Sequence, residues 1–169
     1  PRQEKISLKS HPGWLRLHAF RTLQAGNLLF VGNILTARSW KSKHNEVTTH
    51  INLAGFTDGI HCGLCHFSKA YSGFGVSRAN GTTRLEYLSQ GKTEEGIVTT
   101  AQEIWLRSTW RIDGLSSYAY STDGQNFITL PTSYQLQWGN YRGDRVGIYC
   151  YNDIDESGFA DFDYLHITR

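Results

Sequence analysis

The sequence predicts an all-β fold, two antiparallel sheets packed face to face, and three observations carry that expectation. Apolar and polar residues alternate with period 2 in many short runs, the pattern of half-buried strands. Reversal dipeptides punctuate those runs: Asp-Gly at 58–59, 113–114 and 123–124, and Asn-Gly at 80–81. No segment sustains apolar residues at helical spacing for more than about one turn. The composition agrees, since 17 Gly against 3 Pro, with 5 Trp, 9 Tyr and 8 Phe, suits strands joined by Gly-rich turns.

The clearest stretch is 103–130. Ile104, Leu106, Trp110 and Ile112 share one parity, and Arg107, Thr109 and Arg111 the other. Asp113-Gly114 reverses the chain into a strand carrying Tyr118 and Tyr120, and Asp123-Gly124 reverses it again toward Phe127 and Leu130. Three strands joined by two tight turns make an antiparallel meander.

In chain order, Ile6 and Leu8 suggest a short opening strand that His11-Pro12-Gly13 ends. Residues 14–18 alternate next, with Leu15 and Leu17 toward the core and Trp14, Arg16 and His18 on the other face. Residues 27–37 read as a strand interrupted by Gly32-Asn33, and 38–45, polar apart from Trp40, as a loop. Val47, Thr49 and Ile51 alternate with Thr48, His50 and Asn52. A strand is expected over 60–67, a Tyr- and Gly-rich hairpin over 69–79, and a strand over 82–89. Residues 90–96 read as a polar connection, and 134–144 as a loop or short edge segment holding Trp138 and Tyr141. Strands at 145–151 and 159–168 complete about twelve in all, the count of a sandwich.

A chain of 169 residues is a single-domain length, able to bury roughly two-thirds of its unfolded surface. The net charge of +2 comes without any Lys/Arg stripe, so no nucleic-acid partner is expected. No apolar run approaches the ~18 residues of a membrane span, so no membrane partner is expected either. The chain opens P-R-Q-E-K and contains no Met, which suggests a processed chain or a piece of a longer one. Cys62, Cys65 and Cys150 are odd in number and read as buried free thiols rather than a disulfide framework.

Two motifs invite a cofactor. H-C-G-L-C-H at 61–66 contains the C-x-x-C-H of c-type haem attachment. In a strand, however, positions i and i+3 point to opposite faces, so Cys62 and Cys65 diverge, and no second ligand pair at zinc spacing exists. N-D-I-D-E-S-G at 152–158 opens like a calcium loop but lacks the acidic twelfth position of an EF-hand, which falls on Tyr164. No cofactor is expected, with a structural calcium in that irregular loop left open. No catalytic signature is present; Asp161 and Asp163 share a strand face, and Arg16 is the expected charge partner there.

Five segments occur in one order: P-G-W-L-R-L at 12–17, G-I-H-C-G-L at 59–64, Y-S-T-D-G-Q-N-F at 120–127, R-V-G-I-Y at 145–149 and A-D-F-D-Y at 160–164. Together they resemble the C-terminal concanavalin-like β-sandwich of family 43 glycoside hydrolases, the β-xylosidases and α-L-arabinofuranosidases. The resemblance covers nearly the whole chain. It implies a concanavalin-like jelly roll and one module over residues 1–169, excised from a larger glycoside hydrolase. Catalysis in that family belongs to an N-terminal five-bladed propeller, none of which maps onto this sequence, so the chain on its own is expected not to be an enzyme.

The leading functional expectation is a carbohydrate-binding accessory module that takes xylan or arabinoxylan of the plant cell wall. Aromatic rings stack on pyranose faces while polar side chains bond hydroxyls. The candidate contacts are Trp40, Tyr71, Phe74, Trp138 and Tyr141, all placed in expected loops, with Arg38 and Asn140 as polar partners. The alternative is a structural module that docks on the propeller and completes its substrate pocket without sugar affinity of its own. A third reading, an endoglycanase, would use two strand-borne glutamates, for which Glu86 and Glu103 are the candidates besides Glu46. Action on polymeric xylan would place the parent in the periplasm or outside the cell.

Overall fold

The computed structural model describes residues 2–137 and 143–169. Thirteen strands run through them: β1 (Ile6–Ser7), β2 (Leu15–His18), β3 (Ile34–Arg38), β4 (Asn45–Asn52), β5 (Ile60–Phe67), β6 (Tyr71–Ala79), β7 (Thr82–Ser89), β8 (Lys92–Val98), β9 (Glu103–Trp110), β10 (Leu115–Ser121), β11 (Ile128–Gln135), β12 (Arg145–Asn152) and β13 (Phe159–Thr168). They form a seven-stranded sheet in the order β1-β2-β13-β4-β9-β10-β11 and a six-stranded sheet in the order β3-β12-β5-β6-β7-β8. Every strand pairing in both sheets is antiparallel. The all-β sandwich expected from the alternation is therefore the fold.

The core between the sheets comes from the parities read in the sequence. Val47 and Ile51 of β4 and Ile104, Leu106 and Trp110 of β9 are buried against Leu64, Phe74 and Ile148 of the other sheet. Ile112 shares their parity but sits in the turn after β9 and is 62% exposed. At the tip of β6–β7, Asn80 and Gly81 have φ of 50° and 74°, the left-handed pair that a two-residue hairpin requires.

Four expectations are corrected. Residues 90–96 are not a polar connection: Gln90 and Gly91 repeat the left-handed turn (φ 50° and 79°), and β8 follows as a fully exposed edge strand. An edge strand with neither face on a core has no reason to alternate. Residues 69–79 are one strand, β6, rather than a hairpin. Residues 134–144 begin inside β11, whose length comes from pairing along β10. In 27–37 the strand starts only at Ile34; before it, Leu28–Phe30 form a 3-10 turn whose first amides are capped by Asn27, Oδ1 accepting from the Leu29 N–H at 3.1 Å.

That last segment covers the outer face of the six-stranded sheet. Leu28 is fully buried there with Cys65, Tyr71, Leu88, Tyr149 and Tyr151, a second apolar cluster separate from the one between the sheets.

Candidate functional site

Antiparallel connection brings the end of β3, the end of β9, the start of β10 and the start of β12 to one end of the sandwich, and a buried carboxylate organises it. Asp144 is fully buried. Its backbone carbonyl accepts from the Ser39 N–H at 3.2 Å, and its Oδ2 accepts from the Gln137 N–H at 3.2 Å. Its Oδ1 lies 3.4 Å from Nδ1 of His66, whose Nε2 is 2.9 Å from the Ser108 hydroxyl. The His66 ring meets Trp110 edge-on at 5.2 Å, and Trp110 Nε1–H donates to the Trp40 carbonyl at 2.8 Å. These contacts tie Gln137 and Asp144 to the Ser39–Trp40 segment.

Ser108, His66 and Asp144 follow the donor order of an acyl-transfer triad, yet all three are 0% exposed. A nucleophile sealed between two sheets meets no carbonyl, so the trio is a buried polar cluster rather than an attacking one, with His66 Nδ1 and Asp144 Oδ1 facing each other at 3.4 Å.

Of the sequence candidates, Arg38 is exposed and Trp40 is 39% exposed at this end. The Arg169 guanidinium covers one face of the Trp40 ring at 3.6 Å from its centroid. Trp138, Asn140 and Tyr141 lie outside the described residues. Tyr71 and Phe74, expected in a loop, are on β6 and only 1% exposed. Phe74 packs between the sheets; the Tyr71 hydroxyl accepts from the Gly91 N–H at 2.6 Å and donates to the Gly26 carbonyl at 3.3 Å, pinning two loops.

The outer face of the seven-stranded sheet also carries aromatic rings, and neighbouring side chains lie on them. His50 stacks on Trp105 at 4.0 Å and 5°, and on the far side a Cβ at Gly124 would come within 2.9 Å of that indole. His11 stacks on Trp14 at 5.0 Å, Arg16 covers Phe159 at 3.6 Å and Arg107 covers Phe127 at 3.7 Å. The expected pairing of Arg16 with Asp161 is present and bidentate, at 2.7 and 2.8 Å. Burial works against ionisation of Asp161, but these bonds and His11 hold its carboxyl below the usual range.

On the outer face of the six-stranded sheet, His61 Nδ1 lies 2.8 Å from Glu86 Oε2 and its Nε2 3.4 Å from Asp153 Oδ2, with the ring stacked on Tyr151 at 4.8 Å. Burial favours the neutral imidazole, but the two carboxylates outweigh it and raise the pKa to about 10. Nothing local in the sequence announces this pair, because β6 runs between β5 and β7. Gly75, beside Glu86 and opposite Gly63, leaves the room for the contact.

Other readings are settled by the same two faces. Glu86 and Glu103 lie on different sheets, so they cannot flank one glycosidic bond. Cys62 and Cys65 do diverge, Cys62 into the core between the sheets and Cys65 into the outer cluster. In the 152–158 loop the acidic groups point apart: Asp153 to His61, Asp155 Oδ1 to the Ser157 N–H, and Glu156 to Arg2 and Lys5. Among the described residues no group of three or more His, Cys, Asp or Glu side chains is placed to hold a metal ion.

The fold recurs in known proteins. The chain is 22% identical to a bifunctional GH43-CE protein of Bacteroides eggerthii, with a TM-score of 0.91 over 99% of this chain and 22% of that one. A xylan beta-1,4-xylosidase from Bacillus halodurans superposes with a TM-score of 0.82 at 16% identity, over 100% of this chain and 35% of that one. In sequence it is 24% identical to a beta-xylosidase of Formosa agariphila over 98% of this chain and 31% of that protein. The chain spans about a third of the length of the curated relatives it matches. Residues 1–168 match the family described as Beta xylosidase C-terminal Concanavalin A-like domain, and the chain belongs to that family, a C-terminal module of family 43 glycoside hydrolases.

Proposed function

We propose that this chain is a non-catalytic module that docks on the catalytic propeller of a family 43 glycoside hydrolase and completes its substrate pocket. The supporting observation is the end of the sandwich organised by Asp144. Trp40, Ile112 and Leu115, on the loops after β3 and β9 and at the start of β10, are 39%, 62% and 42% exposed there. Apolar side chains held out from a rigid, internally bonded scaffold fit a surface meant to be covered. In the full-length enzyme, the pair Trp40→Ala and Ile112→Asp should lower kcat/KM on xylo-oligosaccharides at least ten-fold while the module stays folded. An unchanged kcat/KM would refute the docking reading.

A second reading, independent binding of xylan or arabinoxylan by this chain, is favoured by one feature. The outer face of the seven-stranded sheet has a hydroxyl-floored groove whose polar groups are open to solvent. Retardation of the chain during electrophoresis in gels containing soluble xylan tests it.

A further inference from the structure

The second reading leaves the binding surface open, and resting on that reading, we infer that the groove across β4, β9, β10 and β11 is the site of an extended, uncharged oligosaccharide. Strand register sets out its floor. Glu46 pairs with Thr109, Thr109 with Ser117 and Ser117 with Ser133, so four polar side chains stand in one row across four strands. Neighbouring strands are ~4.8 Å apart, which spaces the row at a repeat close to that of hydroxyls along a sugar chain. The adjacent row is Thr48, Arg107, Ala119 and Thr129. Apart from Glu46 and Arg107, both rows are built of Thr, Ser and Ala, which leave the face shallow.

Tall side chains border the floor. Arg107, held by Glu46 at 3.4 Å and lying on the Phe127 ring, closes one side. Arg111, Leu115 and His44 stand at the other. Between Ser117 and Ala119, two steps along β10 are matched by four along β11, from Ser133 to Thr129, a bulge that contains the exposed Pro131. Proline is tolerated there because β11 is an edge strand, and the bulge raises that edge into a lip. Two adjoining depressions result, of about 250 and 300 Å3, which share Thr109 and Ser117.

The lining chooses the ligand class. Hydroxyls that both donate and accept, with the Thr109 and Ser117 oxygens already 3.0 Å apart, match a guest that is itself a row of hydroxyls. Arg107 is paired with Glu46, so the floor carries no unpaired charge that would select a phosphate or a polyanion. Phe127 already has Arg107 across it, so recognition here works through hydroxyl bonding at the floor rather than a free stacking platform.

The test uses the chain itself, with xylohexaose in titrations and neutral arabinoxylan in retardation gels. Ser117→Trp fills the shared floor, and Thr129→Trp, at an exposed position, blocks one depression with little risk to folding. Wild type should bind, and either folded variant should lose at least ten-fold in affinity. Wild type that is neither retarded nor titrated would overturn the second reading and this inference with it. Wild-type binding that survives both substitutions would leave that reading standing and overturn the groove. If only Ser117→Trp fails to fold, the Thr129→Trp result decides.

Discussion

His61 donates to the buried carboxylate of Glu86 at 2.8 Å, two strands away across β6, and the pair carries a full charge into a site where Glu86 is 1% exposed. Its consequence is a pH dependence of definite sign. The folded pKa of about 10 lies above the ordinary imidazole value of 6.5, so the stabilisation is complete below about pH 6.5 and is lost as pH rises toward 10. Urea denaturation should show stability declining across that window. His61→Gln should remove the slope and cost on the order of 3 kcal/mol at neutral pH, because the buried Glu86 carboxyl loses the cationic partner that offsets its desolvation. A slope that persists in the variant would assign the effect to other groups.

Backbone approach gives a second expectation. A Cβ on Gly75 would come 2.0 Å from the Cys62 carbonyl oxygen, and one on Gly63 2.3 Å from that of Phe74. At Gly81 a Cβ would meet nothing, and only the positive φ of 74° resists substitution. Gly81→Ala should therefore cost about 1 kcal/mol, and Gly75→Ala at least ~3 kcal/mol, in equilibrium unfolding. Equal costs would mean that β5 and β6 can separate to admit the methyl group.

The thiols supply a third. Cys62 and Cys150 are register partners across β5 and β12, Cys65 faces the outer cluster, and all three are 0% exposed. Burial pushes each thiol pKa up, which removes the reactive thiolate. A thiol-specific chromogenic reagent should find no reactive group in the native chain and three after denaturation. Rapid native labelling would show that the sheets open far more readily than their packing implies.

The Asp144 network separates structure from catalysis. Ser108→Ala should cost about 1–2 kcal/mol by leaving His66 Nε2 without its partner. Asp144→Ala should cost more, on the order of 3 kcal/mol, because the Gln137 N–H loses its acceptor and His66 Nδ1 its carboxylate neighbour, while the Ser39 bond to the main chain remains. Calorimetry of the two variants ranks them. Neither should change the hydrolysis of activated esters, and a loss there in Ser108→Ala would revive the triad.

Which parts of this molecule could be read from the chain follows from what faces what. β4, β9 and β10 each have one face on the core, so their sequences alternate. β8 has neither face on a core, so it carries no apolar alternation to read. Tyr71 and Phe74 looked like loop residues because Ser72, Gly73 and Gly75 imitate turn chemistry. Those glycines instead serve close approach: a Cβ at Gly73 would press on Leu28 at 3.1 Å and on Tyr149 at 3.2 Å. Trp40 was legible because nothing apolar adjoins it in sequence, but its cover, Arg169, arrives from the opposite terminus. The hydroxyl row on the outer face left no local mark at all, since Thr109, Ser117 and Ser133 become a row only through pairing.

β8 is an open hydrogen-bonding edge with every side chain exposed, and it bears Lys92, Glu94 and Glu95. Between Arg84 and Glu86 of β7 its register slips by one residue around Gly96, twisting the strand away from a straight template. A second copy approaching this edge would have to desolvate charged side chains and meet a ladder out of step, so the sheet is discouraged from growing into a ribbon. Charges that contribute nothing to the core thus act on the crowd rather than the fold: they keep a sandwich with unpaired strands at its borders from polymerising through them.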